Sequence, residues 1–98
     1  MEDLTIRELQ TKLPWTVKYS QDFRSNPQSH KDFAHALTHV IKAAGRIGEF
    51  VDDFDHKRES KLEVDKYVAD LVICAIRMAN TNPGRIIDLQ KAVQERLE

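Results

Sequence analysis

The sequence predicts an all-α protein. Three observations carry that prediction. Only three Gly and three Pro occur in 98 residues. No alternating apolar/polar run is long enough to argue a strand. One long segment, 33–54, repeats apolar residues in steps of three and four, the period of a helix face.

The first helix is expected to start at Thr5. Thr5-Ile6-Arg7-Glu8 has capping-box spacing, in which the hydroxyl and the Glu satisfy orphan backbone N–H groups. Ile6, Leu9 and Leu13 form its apolar stripe. Pro14 lacks an N–H and should end or kink it, opening a second turn through Trp15 to Tyr19. Residues 20–28 read as a loop. The second helix should open at Ser29, with Asp32 three residues on, and run to about Asp55. Phe33, Leu37, Val40, Ala44, Ile47, Val51 and Phe54 make its apolar stripe. His35, His39, Lys42, Arg46, Glu49 and Asp53 follow the same steps on the opposite face. A helix of that length spans roughly 35–40 Å, which is long for a lone domain of this size and calls for a partner subunit.

Residues 56–61 form a charged connection. The third helix runs from about 62 to 79. Its polar residues Glu63, Lys66, Asp70 and Arg77 share one side and the rest is apolar, as in a central helix. Asn80-Thr81-Asn82-Pro83-Gly84 stops it. A fourth helix begins near Ile87 or Asp88, with Leu89, Ala92, Val93 and Leu97 inward. The helices together read as one domain, 1–98, with a long central antiparallel pair.

Composition narrows the function. A formal net charge of −1 gives no global field toward nucleic acid or an anionic membrane. Charged residues at 32% and apolar residues at 41% fit a soluble helical protein. Cys74 is the sole cysteine and lies among apolar neighbours, so it reads as a packed thiol in a reducing compartment. The start Met1-Glu2-Asp3-Leu4 is acidic and lacks a signal-peptide pattern. The apolar run 68–79 is interrupted by Asp70 and Arg77 and is too short to span a bilayer. The chain is therefore expected to be cytoplasmic, with neither nucleic acid nor membrane as its partner.

One residue stands out. Asp70 is a carboxylate in the middle of an otherwise apolar helix, and desolvating an unpaired carboxylate is costly. It needs a cation or hydrogen-bond donors beside it. A divalent metal there would point to catalysis, and a Lys or Arg to an ion pair. If the polar stripes of the two long helices face each other, Glu49 and Asp53 approach Asp70 or Glu63. That makes a hard-oxygen site suited to Mg²⁺ or Mn²⁺. His35 and His39, at i and i+4, share a helix face with a spacing that can hold Zn²⁺, but no third ligand is evident in the sequence. Trp15 either packs over the bundle end or stacks on a base. Lys57, Arg58 and Lys61 are offset by nearby acids. No set of Ser, His and Asp, or of Cys and His, suggests nucleophilic catalysis, and the Gly residues make no phosphate loop.

Four segments, taken in order, resemble the MazG-like all-α nucleoside triphosphate pyrophosphohydrolases. Leu4-Thr5-Ile6-Arg7-Glu8-Leu9-Gln10 is similar to that family's first helix. Lys42-Ala43-Ala44-Gly45-Arg46-Ile47-Gly48-Glu49-Phe50 falls where the family has a Lys followed by Glu-Glu-x-Gly-Glu-Leu. Tyr67-Val68-Ala69-Asp70-Leu71-Val72 falls where it has Glu-x-x-Asp-Val-Leu. Ala79-Asn80, Gly84 and Ile87-Asp88-Leu89 resemble its turn into the last helix.

The resemblance implies a helical bundle in which acids on the two long helices hold Mg²⁺. The metal binds a triphosphate, and attack by water yields a nucleoside monophosphate and pyrophosphate. It also places Glu49 and Asp70 at metal-ligand positions; Asp53, one turn beyond Glu49, is an extra candidate ligand by its spacing alone. The sequence departs from the pattern at the two other acids, which are Arg46 and Tyr67. Asp52 and Glu63 are further acids within reach of the gap. Arg46 can pair with Glu49 or Asp70 where the metal would be. Lys42, Arg46 and His39 can instead grip phosphate oxygens directly. Three readings follow: a pyrophosphohydrolase acting on nucleoside triphosphates, a non-catalytic nucleotide or anion binder, and a structural or protein-partner-binding homodimer or dimer of dimers.

Overall fold

A computed structural model describes residues 3–13, 27–60 and 63–98. They form four helices and no strand: α1 (Ile6–Lys12), α2 (Pro27–Asp55), α3 (Val64–Thr81) and α4 (Leu89–Leu97). Among the described residues no helix is long and apolar enough to cross a membrane. The expectations for Pro14, Trp15 and the loop 20–26 lie outside the described residues, as does the start of the third helix at 62.

α1 begins as its capping box dictates. The Thr5 hydroxyl accepts from Glu8 N–H at 3.1 Å, and Glu8 Oε1 accepts from Thr5 N–H at 3.2 Å. That backbone hydrogen bond holds the Glu8 carboxyl below its usual range.

α2 starts two residues earlier than Ser29. Pro27 occupies its first position, where a missing N–H costs nothing and the fixed φ suits a helix. Ser29 is therefore inside the helix, fully buried, and its hydroxyl has no hydrogen-bond partner. At the other end, Lys57 adopts a left-handed φ of 56°. Arg58 N–H donates to Asp53 C=O at 2.8 Å and Lys57 N–H to Phe54 C=O at 3.1 Å, which is a Schellman ending. The short connection that follows folds α3 back along α2 as an antiparallel hairpin, the main contact of the molecule.

The inward face of α2 is rotated from the expected stripe. Ala36 and Ala43 are buried, and Phe33, Val40, Ile47 and Phe50 are half-buried. Leu37, Ala44, Val51 and Phe54 are exposed. α2 is apolar over two adjacent faces, and α3 covers the one bearing Phe33, Ala36, Val40, Ala43, Ile47 and Phe50. α4 shows a similar difference: Leu89 and Ala92 are half-buried, while Val93 and Leu97 face solvent.

A polar hub fastens α1 to the rest. Gln10 Nε2 donates to Asn80 Oδ1 at 3.1 Å and to Ile87 C=O at 2.7 Å. Asn80 Nδ2 donates to Gln10 C=O at 3.0 Å, and Leu89 N–H donates to Gln10 Oε1 at 3.1 Å. Both side chains are buried, with their polar atoms satisfied by these bonds.

Candidate functional site

The polar stripes of the two long helices do meet. His39, Lys42, Ala43 and Arg46 of α2 face Lys66, Tyr67, Asp70, Ile73, Cys74 and Arg77 of α3 across a cleft of about 260 Å³. The spacing explains the convergence. Residues 39, 42 and 46 step by three and four along α2, and 66, 70, 74 and 77 do so along α3, so each set lies on one helix face.

Four cationic side chains line the cleft together with one carboxylate. Lys42, Arg46, Lys66 and Arg77 share the lining with Asp70, so the cleft is electropositive although the whole chain carries −1. Asp70 is half-buried and shares the cleft lining with these cations, and no ion pair among the described residues includes it. Its charge offsets part of their mutual repulsion and leaves a positive excess. The Lys66 ammonium also stands 6.0 Å over the Tyr67 ring.

Arg46 reaches along its own helix to Glu49, with Nη1 at 3.4 and 3.3 Å from the two carboxylate oxygens. The pair is exposed and long, so it is weak and leaves the guanidinium available to a stronger anion. Glu49 is outside the cleft lining. Asp53 is also outside it, held by Arg58 Nε at 3.2 Å, while Asp52 takes the other arm of Arg58 at 2.5 Å. These hydrogen bonds, Asp53's first, raise the Arg58 pKa above its usual value. Glu63 belongs to a separate surface hollow with Asp65 and Lys66.

Among the candidate residues, then, His39, Lys42, Arg46 and Asp70 come together, and Glu49 and Asp53 do not join them. Among the described residues no three His, Cys, Asp or Glu side chains converge as a metal-binding group. Mg²⁺ prefers carboxylate oxygens in near-octahedral array. One carboxylate among four cations does not match that demand.

The remaining cleft residues limit the chemistry further. Burial pushes the Cys74 thiol up, Arg77 opposes the shift and the Asp70 charge adds to it. A thiol held protonated is a poor nucleophile. Lys66, Tyr67 and Arg77 are not among the candidate ligand or phosphate-binding residues that the sequence offers. The signal for Lys66 and Arg77 was present, since both share a polar stripe with Asp70. Tyr67 was legible only as the residue standing where an acid was expected.

Scans against protein-family models, curated proteins and solved structures find no match to this chain.

Proposed function

We propose that this chain is a MazG-like helical scaffold that binds the phosphate chain of a nucleoside triphosphate through side-chain cations, without a resident Mg²⁺ and without hydrolysing it. The supporting observation is the gathering of Lys42, Arg46, Lys66 and Arg77 with Asp70 in one cleft between α2 and α3. Guanidinium and ammonium groups suit phosphate oxygens, and Arg binds them in a bidentate fork.

The reading includes self-association. Among the described residues the fully buried apolar set is Ala36, Ala43, Cys74, Ile76 and Ala79, which contains one large aliphatic side chain. Meanwhile Leu37, Ile41, Val51 and Phe54 on α2 and Val68, Val72 and Ile73 on α3 are exposed. On α2 the exposed residues Ala34, Leu37, Ile41, Ala44, Gly48 and Val51 step by three and four, with small residues that admit a second backbone closely. A second copy of the chain supplies the missing cover in a homodimer or dimer of dimers.

The test is calorimetric titration of a nucleoside triphosphate in EDTA, with pyrophosphate release followed in Mg²⁺. Binding that persists in EDTA, weakens roughly tenfold or more in Lys42→Glu or Lys66→Glu and yields no pyrophosphate supports the reading. Mg²⁺-dependent release of pyrophosphate that is lost in Glu49→Gln and Asp70→Asn would overturn it in favour of the pyrophosphohydrolase.

A further inference from the structure

His35 and His39 occupy successive turns of α2, both on its exposed face. Their rings meet edge to face, with centroids 4.5 Å apart. The two Nε2 atoms lie 3.0 Å from each other, so they converge on one point in space. Only one proton fits between two such nitrogens, which means at least one of them presents a lone pair there.

That separation is also a metal bite. Two imidazole nitrogens, each about 2.0–2.1 Å from a shared ion, stand roughly 2.9 Å apart at a right angle and about 3.3 Å apart at the tetrahedral angle. The observed 3.0 Å falls between these values. We infer that His35 and His39 form a two-imidazole site for a first-row transition ion, Cu²⁺, Ni²⁺ or Zn²⁺. The remaining coordination positions are filled by water or an anion.

The chemistry of the donors sets the preference. Neutral imidazole favours these borderline ions over Mg²⁺ or Ca²⁺, and Cu²⁺ binds tightest of the three. Two protein ligands on an open helix face give modest affinity, with free entry and exit. Because the pair spans one helical turn, binding also clamps that turn, so the ion stabilises folded α2 over the unfolded chain. His39 lines the phosphate cleft too, which puts the ion at the cleft's rim. The inference does not rest on phosphate binding.

The experiment is titration of the full chain with Cu²⁺ or Ni²⁺ alone, in a non-coordinating buffer near pH 7.5, read by calorimetry and by thermal melting. We expect one ion per chain and a rise in Tm. Both should be lost in His35→Ala and in His39→Ala, with affinity down at least tenfold in each. His30→Ala and His56→Ala should leave binding intact. Lys42→Glu, which tests the phosphate reading, should not abolish it. Circular dichroism of each variant separates loss of ligand from loss of fold. Equal affinity in wild type and the His35→Ala/His39→Ala double variant would overturn the inference, as would loss on replacing His30 or His56 alone.

Discussion

Arg7 and Asp88 join the beginning of the chain to its last helix: Arg7 Nη2 lies 3.0 Å from each carboxylate oxygen of Asp88. Asp88 also caps α4 by accepting from Lys91 N–H at 3.3 Å. The Arg7 hydrogen bond, then the cap, hold the Asp88 carboxyl below its usual range. A carboxyl with a depressed folded-state pKa contributes stability above its unfolded value and loses it as pH falls through the folded value. Glu8 is shifted the same way. Thermal stability should therefore decline on acidification below about pH 4, the ordinary carboxylate range. Asp88→Asn should flatten that decline and lower Tm at neutral pH. Melting curves from pH 7 to pH 2.5 check both.

The Gln10–Asn80 hub is buried and reciprocal, so removing one member strands the other. Gln10→Ala or Asn80→Ala should each cost about 1–3 kcal/mol in urea denaturation. The double variant should cost less than the sum, because one network is lost only once.

Lys57 pays for its place in the Schellman ending with a left-handed backbone, which costs a residue bearing Cβ about 1–2 kcal/mol. Lys57→Gly should remove most of that and raise stability by about 1 kcal/mol. Pro at the same position should destabilise, since its φ is locked negative and it removes the N–H that Phe54 C=O accepts. Denaturant midpoints of the two variants test the pair of signs.

Ile41 is 65% exposed in the centre of the apolar ridge of α2. Ile41→Glu should shift the chain to monomer in sedimentation velocity at micromolar concentration, while Gln94→Glu on α4 should not. An unchanged sedimentation coefficient for Ile41→Glu would remove the ridge as the contact between copies.

What the sequence disclosed followed from local rules. The Thr5 box and the four helices are legible because capping and apolar periodicity act at short range. The inward face of α2 was not. Its apolar residues cover two faces, and periodicity alone does not say which of them meets α3. The Schellman turn was hidden because Lys57, not Gly, occupies the left-handed position. Ser29 imitated a cap, although Pro27 had already opened the helix. Gln10 and Asn80 gave no signal, since each looks like an ordinary surface amide until the tertiary fold pairs them. The cation cluster lay half in view: its α2 members were read directly, while Lys66 and Arg77 needed the hairpin to bring them across.

The hydrogen bonds through which Gln10 and Arg7 hold Asn80, Ile87, Asp88, Leu89 and Gln90 bridge separations of 70 to 83 residues. Closing so large a loop is entropically slow, whereas α2 and α3 are neighbours in sequence and can zip first. The hairpin is thus the natural folding nucleus, with α1 the last piece to dock. Substitutions at Gln10 should accelerate unfolding and barely touch the refolding rate, whereas truncation of Ile76 in α3 should slow refolding.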